Sequence, residues 1–379
     1  PTGEDMNVLG SGGYSHDSAA ALVCDGQLVA AVAEERLTRI KHQGGCPRKA
    51  VDFCLDRAGL TLDDVDHIGV YMKPLKRLAH RIPYRLKRLV RAPLSSVGYM
   101  GYELLHNAQF VAEMRSLCGP KTKLHFVDHH PAHAASAFFV SPFERAALLS
   151  IDYIGEWTST WSGTGEGISI RPLAQVPYPH SLGVFYSAIT DYLGFTRASD
   201  EYKVMGLASY GEPEYLEDFR NVVRPANGRG YDIDLSYMAY HYRPGPRGGY
   251  FSDRFRSKFG PPRKKNEPIE ERHRNIAASA QRVLEEAALR LCNNLHKRTG
   301  LTDLCMAGGV ALNCAMNGRL LRESPFERIF VQPAAGDDGI AIGAAFQLHH
   351  QLTGADRNYV LTDARLGPDH ANGSVKRAL

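Results

Sequence analysis

No run of about 18 consecutive apolar residues occurs in the 379-residue chain, so it offers no transmembrane helix. Nor does the start carry the charged and apolar regions of a secretory signal. Pro1 to Asp5 is polar and reads as a remnant ahead of Met6. No C-x-x-C occurs: Cys24, Cys46, Cys54, Cys118, Cys292, Cys305 and Cys314 are odd in number and irregularly spaced. That excludes a disulfide framework and a cysteine zinc site, and it predicts free thiols in a reducing cytoplasm. Charge of one sign is also lacking. Lys+Arg is 45 against Asp+Glu 41, and a net charge of +4 does not by itself imply nucleic acid. What is present is ordinary for a globular protein, with 44% hydrophobic and 23% charged residues. The length predicts two or three domains or subdomains, with ample surface to bury.

Three short strands are predicted first, over Asn7–Gly10, Ala19–Cys24 and Gln27–Ala33, with Asp25-Gly26 as a hairpin turn. Ala50, Val51, Cys54, Leu55 and Ala58 fall at helical spacing, and Gly59 stops that helix. A similar unit recurs mid-chain. Ala146–Asp152 reads as a strand, a Gly/Thr/Ser-rich stretch turns at Gly163 and Gly165-Glu166-Gly167, and Gly167–Ile170 reads as another strand. The repeat predicts two related halves with a ligand cleft between them. A long helix follows at about Ile269–Arg298, with Ile276, Ala280, Val283, Ala287, Leu291 and Leu295 as its apolar stripe and Gly300 as its stop. Then come a strand at Asp303–Met306, a helix from Ala311, a strand at Arg328–Val331 and a helix at Ile340–His350. Strands alternating with helices predict an α/β fold. Residues 6–140 and 141–355 are the expected halves, 221–268 a loop-rich insertion and 356–379 a linker.

Lys73 to Arg91 contains eight basic residues and no acid. It reads either as a phosphate-binding surface or as the solvated face of a helix that turns Leu75, Leu78, Ile82, Leu86 and Leu89 inward. Pro83 is expected to break or kink that helix.

His129 and His133, four apart, share one face of a helical turn, and Pro131 suits its first turn. Two imidazoles at that spacing can share a metal, although a core histidine pair or a cap has the same spacing. Asp152 and Asp337 are expected at strand ends, where open α/β sheets place ligands. Two imidazoles and carboxylate oxygens suit Fe(II), Mn or Zn. Gly308-Gly309, between strand and helix, fits a phosphate cradle or tight packing. His16 can act as a base or bond a turn. Lys41, His42 and Lys203 carry no specificity alone.

Six motifs then occur in order: His16-Asp17-Ser18-Ala19-Ala20; Glu34-Glu35-Arg36-Leu37-Thr38-Arg39 with Lys41-His42; His129-His130 with His133-Ala134-Ala135-Ser136-Ala137; Lys203 with Met205-Gly206-Leu207-Ala208; Gly308-Gly309-Val310-Ala311-Leu312-Asn313; and Gly336-Asp337-Asp338-Gly339. Together they resemble the O-carbamoyltransferases of the nodulation-protein and cephamycin/tobramycin type, over about Asn7 to Phe346. The resemblance implies an actin-like ATPase fold of two ribonuclease H-like halves around a nucleotide and metal cleft. It implies a divalent metal, Fe(II) with Mn or Zn as alternatives, on His129, His133, Asp152 and Asp337, with Asp338 competing for the last place. It implies a nucleotide near Gly308, Gly309, Val310, Asn313, Lys203 and Asp338. His16 and Lys41 become candidate catalytic residues, His16 as the base and Lys41 as a charge neutraliser. Glu156 and His42 become candidate substrate contacts.

In such enzymes ATP and carbamoyl phosphate give carbamoyl adenylate on a C-terminal YrdC-like domain, expected to be absent here. The carbamoyl group then passes to a hydroxyl of a small molecule. An antibiotic acceptor is expected, held by the five tyrosines of the 221–268 insertion. One departure stands out: Tyr153 follows Asp152 where the family has glycine, and is expected to narrow the cleft. A tRNA threonylcarbamoyl transferase and a silent nucleotide-binding scaffold are the rival readings. No membrane partner is expected, and nucleic acid is not favoured.

Overall fold

The computed structural model describes residues 6–13, 15–86, 93–241 and 249–369. Lys87, Arg88, Leu89 and Arg91 of the basic stretch, the expected remnant 1–5 and the expected linker beyond 369 lie outside the described residues.

The first half begins with β1 (Asn7–Gly12), β2 (Ala19–Cys24) and β3 (Gln27–Ala33), an antiparallel meander. Asp25 and Gly26 both take positive φ, 50° and 77°, as a two-residue hairpin turn matched to strand twist requires. There follow α1 (Glu34–Thr38), α2 (Arg48–Ala58), β4 (His67–Tyr71), α3 (Pro74–Leu86), α4 (Pro93–Arg115), β5 (Lys123–Val127) and α5 (His129–Phe138). The sheet order is β3-β2-β1-β4-β5, with β4 and β5 parallel to β1.

The second half repeats this. Its meander is β6 (Arg145–Gly155), β7 (Thr158–Glu166) and β8 (Ser169–Pro177). Then come α6 (Leu182–Tyr192), α7 (Glu201–Ala208), α8 (Leu216–Val222), β9 (Val223–Ala226), β10 (Gly230–Ile233), α9 (Asp253–Phe259) and α10 (Glu271–Thr299). It closes with β11 (Asp303–Ala307), a 3₁₀ turn over Gly309–Leu312, α11 (Cys314–Glu323), β12 (Arg328–Val331) and α12 (Ile340–Thr353). The order β12-β11-β6-β7-β8, with β11 and β12 parallel to β6, matches the first sheet strand for strand. Two ribonuclease H-like halves so paired make the actin-like ATPase fold.

Four local expectations are corrected. Gly163 and Gly165 do not turn the chain but lie inside β7, because their missing side chains make room for rings. A Cβ there would come within 2.3 Å of Trp161 and 2.6 Å of Phe138. The helix expected from Ala311 starts at Cys314, capped by the Asn313 side chain, which accepts from Met316 N–H at 2.9 Å. Pro83 does not split α3, whose upstream turn is pinned to α4 by ion pairs. Leu75 and Leu86 are 82% and 49% exposed rather than turned inward, since Arg77 takes the buried position between them. The α10 stripe, by contrast, is buried throughout.

What positions the site is a crossing of two helices. α12 packs on β1 and β4 of the first sheet, and α5 packs on β6 and β11 of the second. They meet backbone to backbone. A Cβ on Gly343 would sit 1.8 Å from Ala132 O, one on Gly10 1.9 Å from Ala341 O, and one on Gly69 2.8 Å from Ala344 O. Only glycine permits so close an approach. Beyond α12 the chain returns along the first half, Leu361 N–H donating to Val140 O at 2.9 Å and Ala31 N–H to Leu366 O at 3.4 Å. Among the described residues no helix is long and apolar enough to cross a membrane.

Candidate metal centre and transfer site

The α5/α12 crossing brings four side chains from four chain segments together. His129 and His133 project from one face of α5, Asp152 from β6 and Asp337 from the loop before α12. One ligand atom from each lies within 4.8 Å of the others. His129 Nε2 is 3.1 Å from Asp152 Oδ2 and 3.7 Å from Asp337 Oδ1, and His133 Nε2 is 3.8 Å and 3.3 Å from the same two oxygens. Asp337, not Asp338, faces the histidines.

The donor set fits a divalent ion. His133 is fully buried, yet neither ring nitrogen makes a hydrogen bond. An orphaned buried imidazole costs free energy, and here its Nε2 points at a second imidazole and two carboxylates. Burial opposes charge on His129, but Asp337, Asp152 and Glu156 outweigh it and raise its pKa to about 9. Burial likewise opposes charge on Asp152, and the His129 hydrogen bond with the charges of His133 and His129 holds it well below the usual carboxylate range. Asp337 is lowered against burial by His129 and His133. A nitrogen–oxygen set of this kind suits Fe(II), Mn or Zn.

The surrounding contacts orient these groups. Gly309 N–H donates to Asp152 Oδ1 at 2.9 Å, leaving Oδ2 toward the histidines. The glycine pair therefore serves the carboxylate: Gly308 takes φ 89° and lies against Ile151, where a Cβ would meet the carbonyl at 2.4 Å. Glu156 is buried. Its Oε1 accepts the N–H groups of His129 at 3.3 Å and Lys73 at 3.0 Å, tying the β6–β7 turn to the starts of α5 and α3. It is thus a structural clamp in this arrangement rather than an exposed substrate contact. His130 bonds Ser150 Oγ and Thr158 O, and burial with the charge of His129 pushes its pKa down to about 3.

The β1–β2 loop lies over the Asp337 segment, where a Cβ on Gly12 would be 2.9 Å from Asp337 O. This loop carries His16 and Asp17. Asp17 Oδ2 is 2.9 Å from His16 Nδ1, and Oδ1 is 2.6 Å from His42 Nδ1. The bond to Asp17 raises the pKa of His16 to about 9, with help from Asp337 and Asp152, although 49% of the side chain is exposed. Asp338 is raised by burial and by the charges of Asp17 and Asp337. Lys41 Nζ bonds Ser199 Oγ of the other half at 2.8 Å. Lys203 pairs with Asp200 at 2.8 Å on α7, which meets α11 where Met205 touches Cys314. Val310 is buried. The Asn313 carboxamide is turned inward to cap α11 and bond Gln281 reciprocally at 2.8 and 3.0 Å.

Tyr242 of the insertion lies outside the described residues; the other tyrosines and the described basic residues are largely engaged within the fold. Tyr231 and Tyr240 are core residues, bonded to Thr160 and Pro179, and Tyr237 lies under Arg254. Tyr153 swings away from Asp152 to meet the Tyr250 hydroxyl at 2.9 Å. Lys73 and Lys76 both bind Asp128, at 2.9 and 2.5 Å, and Arg77 and Arg81 both bind the buried Glu103, at 2.9 and 2.7 Å. Reading the sequence alone gives no signal for Asp17 as a bridge, for Asp128 as a lysine anchor or for Gly309 as a donor. Each pairs residues far apart in the chain.

The family model for the carbamoyltransferase N-terminus matches residues 7–346, and the chain belongs to that family. Among its relatives, the nodulation protein NolNO of Sinorhizobium fredii is 38% identical over 94% of this chain and 49% of its own. An uncharacterized protein of Synechocystis is 42% identical over 98% of this chain and 62% of its own. The 3′-hydroxymethylcephem-O-carbamoyltransferase of Streptomyces clavuligerus is 24% identical over 89% and 59%. The chain thus spans about half to three-fifths of these relatives' length.

Proposed function

We propose that this chain is the transfer domain of an O-carbamoyltransferase, moving a carbamoyl group from carbamoyl adenylate to a small-molecule hydroxyl. The observation that carries the reading is the convergence of His129, His133, Asp152 and Asp337 inside a chain matched along most of its length to carbamoyltransferase N-termini. The adenylate comes from ATP and carbamoyl phosphate on a further YrdC-like domain.

In the transfer, the acceptor oxygen bonds the carbamoyl carbon, the bond from that carbon to the AMP phosphate oxygen breaks, and AMP leaves with the electron pair. A divalent ion on the four ligands would supply Lewis acidity toward the carbamoyl oxygen. His16 is the group that receives the hydroxyl proton. Its high pKa, set first by Asp17 and then by Asp337 and Asp152, keeps the ring protonated at neutral pH, and an ion that neutralised the two ligand carboxylates would lower it toward the range where the ring accepts a proton. Lys41, which reaches from the first half to Ser199 of the second, is the proposed partner for charge developing on the phosphate. Lys203 and the Gly308–Val310 turn are the proposed nucleotide contacts.

The cephem enzyme is less similar than the nodulation protein, so an antibiotic acceptor gains less support than the class of small-molecule hydroxyls. The tRNA reading draws less support from the described part of the basic stretch, because Lys73 and Lys76 pair with Asp128 and Arg77 and Arg81 with Glu103. The test is metal content by plasma mass spectrometry together with AMP release from supplied carbamoyl adenylate. Wild-type chain is expected to hold one transition-metal ion and release AMP, and a His129→Ala/His133→Ala variant to do neither. A chain that takes up no Fe(II), Mn or Zn and releases no AMP would leave the silent nucleotide-binding reading in first place.

A further inference from the structure

We propose that Asp17 is a positioning residue of the transfer site, one carboxylate that fixes the rings of both His16 and His42. The inference rests on the proposed role of His16. Two contacts carry it: Asp17 Oδ2 to His16 Nδ1 at 2.9 Å, and Asp17 Oδ1 to His42 Nδ1 at 2.6 Å. An ionised carboxylate only accepts, so both Nδ1 atoms must carry the hydrogen. Asp17 is ionised, since its bonds to His16 and His42 lower its pKa despite burial. The proton that His16 exchanges with a substrate is thereby confined to Nε2.

The arrangement is built rather than incidental. His42 is itself held by its backbone N–H, which donates to Glu35 Oε2 at 2.8 Å. Asp17 sits at φ 53° and His42 at φ 56°, so the carboxylate and one of its two rings leave the chain from left-handed turn positions. The turn behind Asp17 has no room to relax, because a Cβ on Gly13 would lie 2.0 Å from Asp17 O. Two loops, 25 residues apart, are thus locked through one side chain. The adjacent Lys41 bridges to the second half, so the same loop ties His16 to the far wall of the cleft. The charged groups acting on His16 are Asp17, Asp337 and Asp152, with His42 beyond Asp17.

The role parallels the aspartate of a hydrolase triad, which selects a histidine tautomer without exchanging the proton itself. It differs in serving two rings, and that difference makes the test specific. An asparagine has one accepting oxygen and one donating nitrogen. In Asp17→Asn only one imidazole can keep its Nδ1–H bond, and the other must flip to the Nε2–H tautomer.

The experiment is ¹⁵N-histidine NMR of the whole chain, with His16→Gln and His42→Gln for assignment. Wild type is expected to show Nδ1–H at both rings. Asp17→Asn is expected to convert one ring and to bring the His16 titration midpoint down toward an ordinary histidine value. Carbamoyl adenylate with water as acceptor supplies the second readout, giving AMP and carbamate. There Asp17→Asn is expected to lower kcat by about 10²-fold with KM little changed. Both rings keeping Nδ1–H and an unmoved midpoint in Asp17→Asn overturns the proposal. A flipped ring with unchanged AMP release upholds the bridge but removes His16 from the chemistry, and the proposed function then fails separately. Circular dichroism confirms that the variant is folded.

Discussion

Replacing Gly343 by alanine tests whether helix packing sets the metal geometry. The new Cβ would lie 1.8 Å from Ala132 O and 2.6 Å from Ser136 N, both backbone atoms of α5. Neither can step aside as a side-chain tip would. Restoring a normal contact requires α5 and α12 to part by roughly 1.4 Å, several times the ~0.2 Å tolerance of a metal–ligand bond. His129 and His133 ride on α5, whereas Asp337 immediately precedes α12, so the separation falls between the ligands. Alanine gains up to about 1 kcal/mol in helix propensity. Overpacking of this kind costs about 1–3 kcal/mol or more. The net expectation is a Tm lower by several degrees, with metal stoichiometry reduced well below one. Gly101→Ala is the control, because its Cβ would meet nothing within 4 Å and the substitution stabilises by propensity alone. The assays are thermal unfolding by calorimetry and plasma mass spectrometry. A Gly343→Ala protein that melts at or above the wild type and keeps its metal would refute the reasoning.

Asp337→Asn should abolish stoichiometric metal while Asp338→Asn retains it, since only Asp337 faces the histidines at 3.3 and 3.7 Å; equal loss in both would contradict that geometry. Glu103→Ala should destabilise by about 3–5 kcal/mol in urea unfolding, because it strands the buried Arg77 and the largely buried Arg81. His350 is buried with Nδ1–H donating to Ala355 O at 3.0 Å, and burial pushes its pKa down to about 4. The unfolded chain then binds the extra proton between about pH 6.5 and 4, so this contribution to stability is present above 6.5 and is lost as pH falls through that window. His350→Gln is expected to flatten the pH dependence of unfolding free energy there, and an unchanged slope would count against a neutral buried ring.

Much of the scaffold was readable from local pattern. The first three strands, the α10 stripe and the Gly59 and Gly300 stops follow from period and turn chemistry, which short windows contain. The two histidines were readable for the same reason, since their i, i+4 spacing lies within one turn. Asp152 and Asp337 were readable as strand-end carboxylates, but their assignment with the two histidines to one ion needed the family resemblance, because nothing near them shows that β6 and the loop before α12 converge. Gly163 and Gly165 were misread because a glycine that turns the chain and one that seats a ring look alike in sequence. The basic stretch is a similar case, since a phosphate-binding surface and a solvated helix face look alike in sequence. Its acids, Asp128 and Glu103, lie far along the chain, so the neutralisation of Lys73, Lys76, Arg77 and Arg81 is a tertiary fact. Asn313 matched a nucleotide motif, yet its side chain is spent on a helix cap.

The exchange of helices between the sheets makes the metal cluster a pivot. α5 belongs by chain order to the first half but packs on the second sheet, and α12 does the reverse. Rotation of one half against the other displaces atoms in proportion to their distance from that crossing. The four ligands lie on it, whereas the Lys41–Ser199 contact bridges the two halves away from it. On the proposed function, a rotation that opens a nucleotide cleft would displace the Lys41–Ser199 contact more than the four ligands. On the same proposal, an ion held there would keep its cradle while nucleotide enters and leaves.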